Sequence, residues 1–156
     1  MDCKFIERII NMIKELFIDE KKSFLEESKN KVICKYRVID DLHKIAEGEL
    51  FFKGQVYKFL SGGYGKGYAE KGLYKAYKLI PETRIAFSQF GFGWQVPMEA
   101  QFKTERWGLA IHPDGNVPGS EGCPVINFSS LDENVKCHNL FRDWLENKKV
   151  LEVEIV

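Results

Sequence analysis

RWGLAIHPDGNVPGSEGCPVI, residues 106–126, places a histidine at the end of one apolar run and a cysteine at the start of the next. The runs LAI before His112 and PVI after Cys123 read as strands. Between them, PDGNVPG is built from proline, glycine, Asp114 and Asn116, residue types that preset or tolerate turn conformations or bond their own backbone. A loop of this composition holds its two ends at a fixed separation.

Cysteine chemistry gives that separation a use. The thiolate is the nucleophile, a free cysteine is mostly protonated near neutrality, and a neighbouring imidazole can take the proton. His112 is therefore the candidate base and Cys123 the candidate nucleophile. Gly122 permits a tight turn and close backbone approach, so the N–H groups of Gly122 and Cys123 are candidate oxyanion donors. Ser120 either adds a hydroxyl donor or fixes the loop. A small buried cysteine after a plain turn is the competing reading; Ser-x-Gly-Cys following His112 favours the catalytic one.

Outward from this loop the pattern is mostly strands, predicting a mainly β, α+β fold. KVICKYRVI is β-branched, ELFF and QVYKFL flank a Lys-Gly turn, and LYKAYKLI follows a glycine-rich stretch that holds five glycines from Gly62 to Gly72. That stretch lacks the Gly-Lys-Ser/Thr and the following helix of a phosphate loop, so it reads as a tightly turned or mobile loop. RIAFSQFGFGWQVPMEAQF is aromatic and broken by Gly and Pro, as strands of a curved sheet are. Beyond Cys123, SSLDENVKCHNLFRDWLENKK predicts a helix capped by Ser129 or Ser130, with Asp132 and Glu133 in its first turn and Lys148 and Lys149 at its end. VLEVEIV alternates strictly, so Leu151, Val153 and Ile155 share one face of a last strand.

IHPDGNVPGSEGCPVI, with strands before it and a helix and strand after it, resembles the active-site signature of the L,D-transpeptidase catalytic domain family, and within it a short-loop branch found in phage-borne and delivered cell-wall proteins. The likeness covers residues 45–156, leaving residues 1–40 as an N-terminal helical extension. The resemblance implies curved β-sheets or a sandwich with a cleft. It also implies attack by Cys123 on a peptidoglycan stem peptide, with His112 as base, Gly122 and Cys123 as oxyanion donors and Ser120 supporting the loop. An acyl-enzyme would then be resolved by an amine or by water. The family's histidine is usually oriented by a backbone carbonyl; Asp114 is a candidate third member. Ten residues separate His112 from Cys123, fewer than in the main family, and Val125 stands where the family usually has an arginine. Arg106, whose fork suits a carboxylate, and Trp107 beside it are the candidate substrate-binding residues. A module that keeps this fold without chemistry, phage-associated or delivered, is the alternative, and a cysteine hydrolase of another amide is a further one.

Composition narrows the rest. Twenty-three basic residues balance twenty-three acidic ones, so no overall field draws the chain to nucleic acid. The four cysteines are scattered, without a CxxC pair, which argues against a zinc site or a disulfide framework, and no cofactor is implied. His43 reads as a surface or packing residue, His138 as a helix residue facing away from Cys137, and Trp94 and the Phe87–Phe102 run as core. The N-terminus has charges through every apolar run and no small-residue cleavage site, so it is not read as an export signal or a stable membrane insertion. A wall enzyme made in the cytoplasm would then need a lysis or secretion apparatus to reach periplasm or wall, or would act on a cytoplasmic fragment. Ile6, Ile9, Ile10, Ile13, Leu16 and Phe17 recur at helical spacing and predict an amphipathic helix to about Phe17. It continues or hinges in the charged stretch after it, and its apolar face docks on its own domain or on a protein partner, a membrane surface being the alternative that its balanced charges disfavour.

Overall fold

A computed structural model describes residues 3–156; Met1 and Asp2, the start of the expected extension, lie outside the described residues. The elements in chain order are α1 (Cys3–Glu27), β1 (Val32–Asp40), β2 (Ile45–Phe52), β3 (Gln55–Gly62), β4 (Gly72–Ala76), β5 (Ile80–Glu82), β6 (Ser88–Gln89), β7 (Phe92–Ala100), β8 (Ala110–Pro113), β9 (Val125–Ile126), α2 (Leu131–Lys148) and β10 (Leu151–Ile155). A 3-10 turn, Ile85–Phe87, precedes β6.

The strands pair in the order β4-β10-β1-β2-β3-β9-β8-β7, and β7 pairs back onto β4, closing an eight-stranded barrel. The curved sheet expected from the sequence thus joins its own edge instead of dividing into two stacked sheets, which leaves no open edge on those strands. Short β5 and β6 pair with β7 beside the barrel. LYKAYKLI is not one strand: Gly72–Ala76 lies between β10 and β7, and the chain then leaves to form β5.

Alternation sets the barrel interior. Leu151, Val153 and Ile155 of β10 are buried, as are Val32, Cys34 and Tyr36 of β1 and Trp94, Val96 and Met98 of β7. Helix α2 starts where Ser130 accepts the N–H of Glu133 and ends at Lys149 in the left-handed region, two of the groups the sequence marks as helix ends. Its Cys137, Phe141 and Leu145 join the same core. The buried Trp94 indole donates to Asn134 Oδ1 at 2.7 Å, and Asn134 Nδ2 donates to the Gln89 and Phe92 carbonyls at 3.1 Å. Helix and β7 are thereby locked in register by hydrogen bonds that leave no polar atom of the Asn134 side chain unpaired.

Two boundaries differ from the sequence reading. Residues 32–40, placed there in the N-terminal extension, form β1, which pairs in parallel with β10 and antiparallel with β2; the barrel begins at Val32, because the last strand needs a partner from the start of the chain. Helix α1 runs unbroken through the charged stretch and buries no residue. Its last turns touch β2 through the Phe24 and Phe51 rings, 5.4 Å apart, and Lys21–Glu49 at 3.0 Å. The apolar face from Ile6 to Phe17 is not docked on the barrel. Among the described residues, no helix is long and apolar enough to cross a membrane.

Candidate active site

Strands β8 and β9 run in parallel with His112 opposite Val125, so the loop between them returns beside the strand it left. His112 N–H donates to the Pro124 carbonyl at 3.4 Å and Asp114 N–H to the Ile126 carbonyl at 2.7 Å, closing the loop's base. Val125 is fully buried in the barrel wall, where a guanidinium would need several partners.

His112 and Cys123 line one cleft of about 730 Å³, together with Tyr64, Lys66, Trp107 and Val117. The imidazole is 5% exposed, and its Nδ1 donates to the Pro113 carbonyl at 2.8 Å, which leaves Nε2 as the proton acceptor. Phe87 covers the ring, centroids 4.2 Å apart, and Arg84 in turn lies over Phe87 at 4.2 Å. Burial is the main cause that pushes the imidazole down to about 4, so His112 is neutral at pH 7. Burial likewise pushes the Cys123 thiol up; the N–H groups of Ala110, at 3.3 Å from Sγ, and of Cys123 itself oppose that shift. The resting pair is therefore thiol and neutral imidazole. Among the described residues, no hydrogen bond joins the two.

The main chain before the thiol is fixed by two serine hydroxyls. Ser120 Oγ donates to the Cys123 carbonyl at 2.6 Å and accepts from the N–H of Gly122 at 3.1 Å and of Gly62 at 3.3 Å. The buried Ser61 hydroxyl donates to the Gly122 carbonyl at 2.8 Å and accepts the Ala69 N–H at 2.9 Å. Both polar groups of the Gly122 peptide are thus spoken for by serine hydroxyls. Two expectations change accordingly: Ser120 fixes the loop, and the Gly122 N–H is engaged, leaving that of Cys123 as the candidate oxyanion donor.

Arg106 also takes a different part from the one expected. Nη1 donates to the Tyr68 carbonyl and, at 3.5 Å, to that of Lys66; Nη2 donates to Gly67 at 2.9 Å and Glu121 at 3.0 Å. With both terminal nitrogens on main-chain carbonyls, its fork is not turned to a substrate carboxylate. It joins the glycine-rich loop to the cysteine loop, which also meet where Ser120 N–H donates to the Gly62 carbonyl and Tyr64 N–H to that of Ser120. The glycine-rich stretch is accordingly one wall of the cleft. Trp107 stands at the rim, 89% exposed.

Asp114 neither reaches the Nδ1 of His112, which the Pro113 carbonyl occupies, nor lines the cleft. It is 5% exposed; Oδ2 accepts the Gly119 N–H at 3.5 Å and Oδ1 has no partner. Its role is to brace the loop. Burial pushes its carboxyl up to about 6 against an ordinary 3.8, so the stability that protonation contributes is present below 3.8 and is lost as pH rises through 6. Asp114→Asn, which keeps the shape without the charge, is expected to raise the urea midpoint at pH 7 and to leave it unchanged near pH 4. A variant less stable than the wild type at both pH values would refute this account.

The other histidines stand away from the cleft: His43 Nδ1 pairs with Asp40 at 2.6 Å, and His138 packs edge-on to Phe92. Among the described residues no group of three or more His, Cys, Asp or Glu side chains could hold a metal ion. Phe87 and Ser61 were not singled out by sequence reasoning. Phe87 looks like one more core aromatic until the 3-10 turn brings it onto His112, and a lone serine at a strand end carries no signal. Comparison with known proteins finds no matching family model, no matching curated protein and no matching solved structure.

Proposed function

We propose that the chain is a cysteine-dependent acyltransferase or peptidase of the L,D-transpeptidase type, acting on peptidoglycan stem peptides, in an L,D-transpeptidase-like domain. The observation that carries this reading is the shared cleft, which holds a backbone-oriented, neutral imidazole and a thiol whose main chain is clamped on both sides of Gly122.

Each step then has an agent. As Sγ of Cys123 bonds to the carbonyl carbon, its proton passes to Nε2 of His112, and the oxyanion is met by the Cys123 N–H. Collapse breaks the C–N bond, and the leaving amine takes the proton from His112. A thioester remains. An amine or a water then attacks it, His112 again removing the incoming proton, and the C–S bond breaks to restore the thiol. Because the resting pair is uncharged, proton transfer accompanies attack instead of preceding it.

The test is intact-protein mass spectrometry during incubation with purified tetrapeptide muropeptides. The expected result is an acyl adduct on Cys123, with the last stem residue lost or exchanged. An unmodified protein and an unchanged stem after long incubation would defeat the reading for that substrate. The absence of a thiol–imidazole hydrogen bond is what favours the alternative, a binding module that retains the fold; under it the muropeptide binds and is released intact.

A further inference from the structure

Helix α1 buries no residue and contributes none to the cleft that holds His112 and Cys123. Its apolar face has the spacing of a helix that packs on another helix: Ile6, Ile10, Ile13 and Phe17 occupy successive d and a positions of a heptad. The next two such positions are Glu20 and Phe24, and there the barrel covers the seam. Glu20 pairs with Lys35 at 2.7 Å, and the Phe24 ring lies 5.4 Å from that of Phe51. Ahead of them the seam is open, with Ile10 44% and Phe17 67% exposed. An apolar stripe of that length on one helix marks an interaction site.

We propose that the chain forms a two-fold dimer through α1, the helix of each copy lying antiparallel on that of the other. The flanks of the seam carry the choice of occupant. One flank, the e positions, holds Glu7 and Lys14, neither of them in an ion pair among the described residues; the other, the g positions, holds Ile9 and Leu16. An antiparallel copy sets each flank against itself in reverse, so Glu7 meets the partner's Lys14, twice by symmetry, and Ile9 meets the partner's Leu16. A parallel copy would set Lys14 against Ile9. Length agrees with the antiparallel choice. With Ile10 opposite the partner's Ile13 and Ile6 opposite the partner's Phe17, Glu20 falls opposite the partner's Cys3, so the described part of each helix spans the open seam of the other up to its barrel. In a parallel pair the two Phe24 positions would meet, and two barrels would claim one place. A cleft of about 570 Å³ between α1 and the barrel, whose lining includes Phe17, Glu20, Lys35 and Phe59, opens at that junction and leaves room for the partner's first turn.

The test reads the mass of the full chain by sedimentation equilibrium across the micromolar range, where a dimer is expected. Ile10→Asp, at a position exposed in the single chain and ahead of the first barrel contact, is expected to raise the dissociation constant about a hundredfold and to leave the near-UV circular dichroism of the barrel unchanged. Glu7→Lys and Lys14→Glu each set like charges across the seam and should weaken the dimer about tenfold; the two together should restore it to within about twofold, a recovery that a parallel pair does not give. Exposed Cys3 reports orientation. Antiparallel packing holds the two copies of Cys3 at opposite ends of the seam, so mild oxidation should leave the wild type without a cross-link, whereas Glu20→Cys should link each copy to the other through Cys3. A monomer throughout the range, whether or not it sediments with anionic vesicles, a dimer indifferent to Ile10→Asp, a double charge reversal without recovery, or a wild-type dimer linked through Cys3 would each overturn the proposal.

Discussion

His112→Ala is expected to lower kcat/KM on a stem peptide by about 10³-fold, within the range a positioned general base contributes, and Cys123→Ala to abolish the acyl adduct altogether. The pH dependence discriminates further. An imidazole with its ordinary value near 6.5 would give an acid limb there; burial beneath Phe87 brings His112 to about 4, so activity should hold down to about pH 5 and fall only as pH drops through 4. The base must be unprotonated to act, so protonation is the direction of loss. Alkylation gives a second check. A resting thiolate–imidazolium pair would make Cys123 react with iodoacetamide at pH 6 faster than exposed Cys3, whereas a buried thiol raised above its ordinary value reacts more slowly. An acid limb at 6.5 together with a fast-labelling Cys123 would show that the pair is charged at rest.

Strand β10, helix α2 and the β2–β3 hairpin were legible because each carries a local signal: the alternation of Leu151, Val153 and Ile155, the Ser130 cap, and the turn between β2 and β3. His112 and Cys123 were legible because turn chemistry and Ser-x-Gly-Cys lie in one continuous stretch. Barrel closure was not. It depends on β4 meeting β7 and on β1 running beside β10, pairings set by the whole chain and invisible in any window of it. The roles of Arg106 and Asp114 were hidden for a related reason. A guanidinium next to the strand that carries His112 suggests carboxylate recognition, but four carbonyls from two distant loops reach it first. The apolar face of α1 shows the limit of periodicity, which identified the helix without saying what, if anything, in the same chain would cover it.

Gly122→Ala is expected to destabilise the protein by about 3–5 kcal/mol and to remove activity. Two costs combine. Gly122 has φ +130°, a conformation that costs a residue bearing Cβ on the order of 1–3 kcal/mol. The new methyl would also stand 2.0 Å from Nη2 of Arg106 and 3.0 Å from the Gly67 carbonyl, so the guanidinium must leave carbonyls it now satisfies. A double-mutant cycle separates the two. In an Arg106→Ala background the collision is gone, and Gly122→Ala should cost only the backbone part, about 1–3 kcal/mol, giving a coupling of about 2 kcal/mol between the sites. Additive costs would mean that Arg106 does not enforce the glycine. Arg106→Lys should not restore stability, because an ammonium on a flexible stem cannot reproduce a planar fork that serves the Lys66, Gly67, Tyr68 and Glu121 carbonyls. The glycine before Cys123 is thus required by what lies across it as well as by its turn: Arg106 needs the space a side chain would fill.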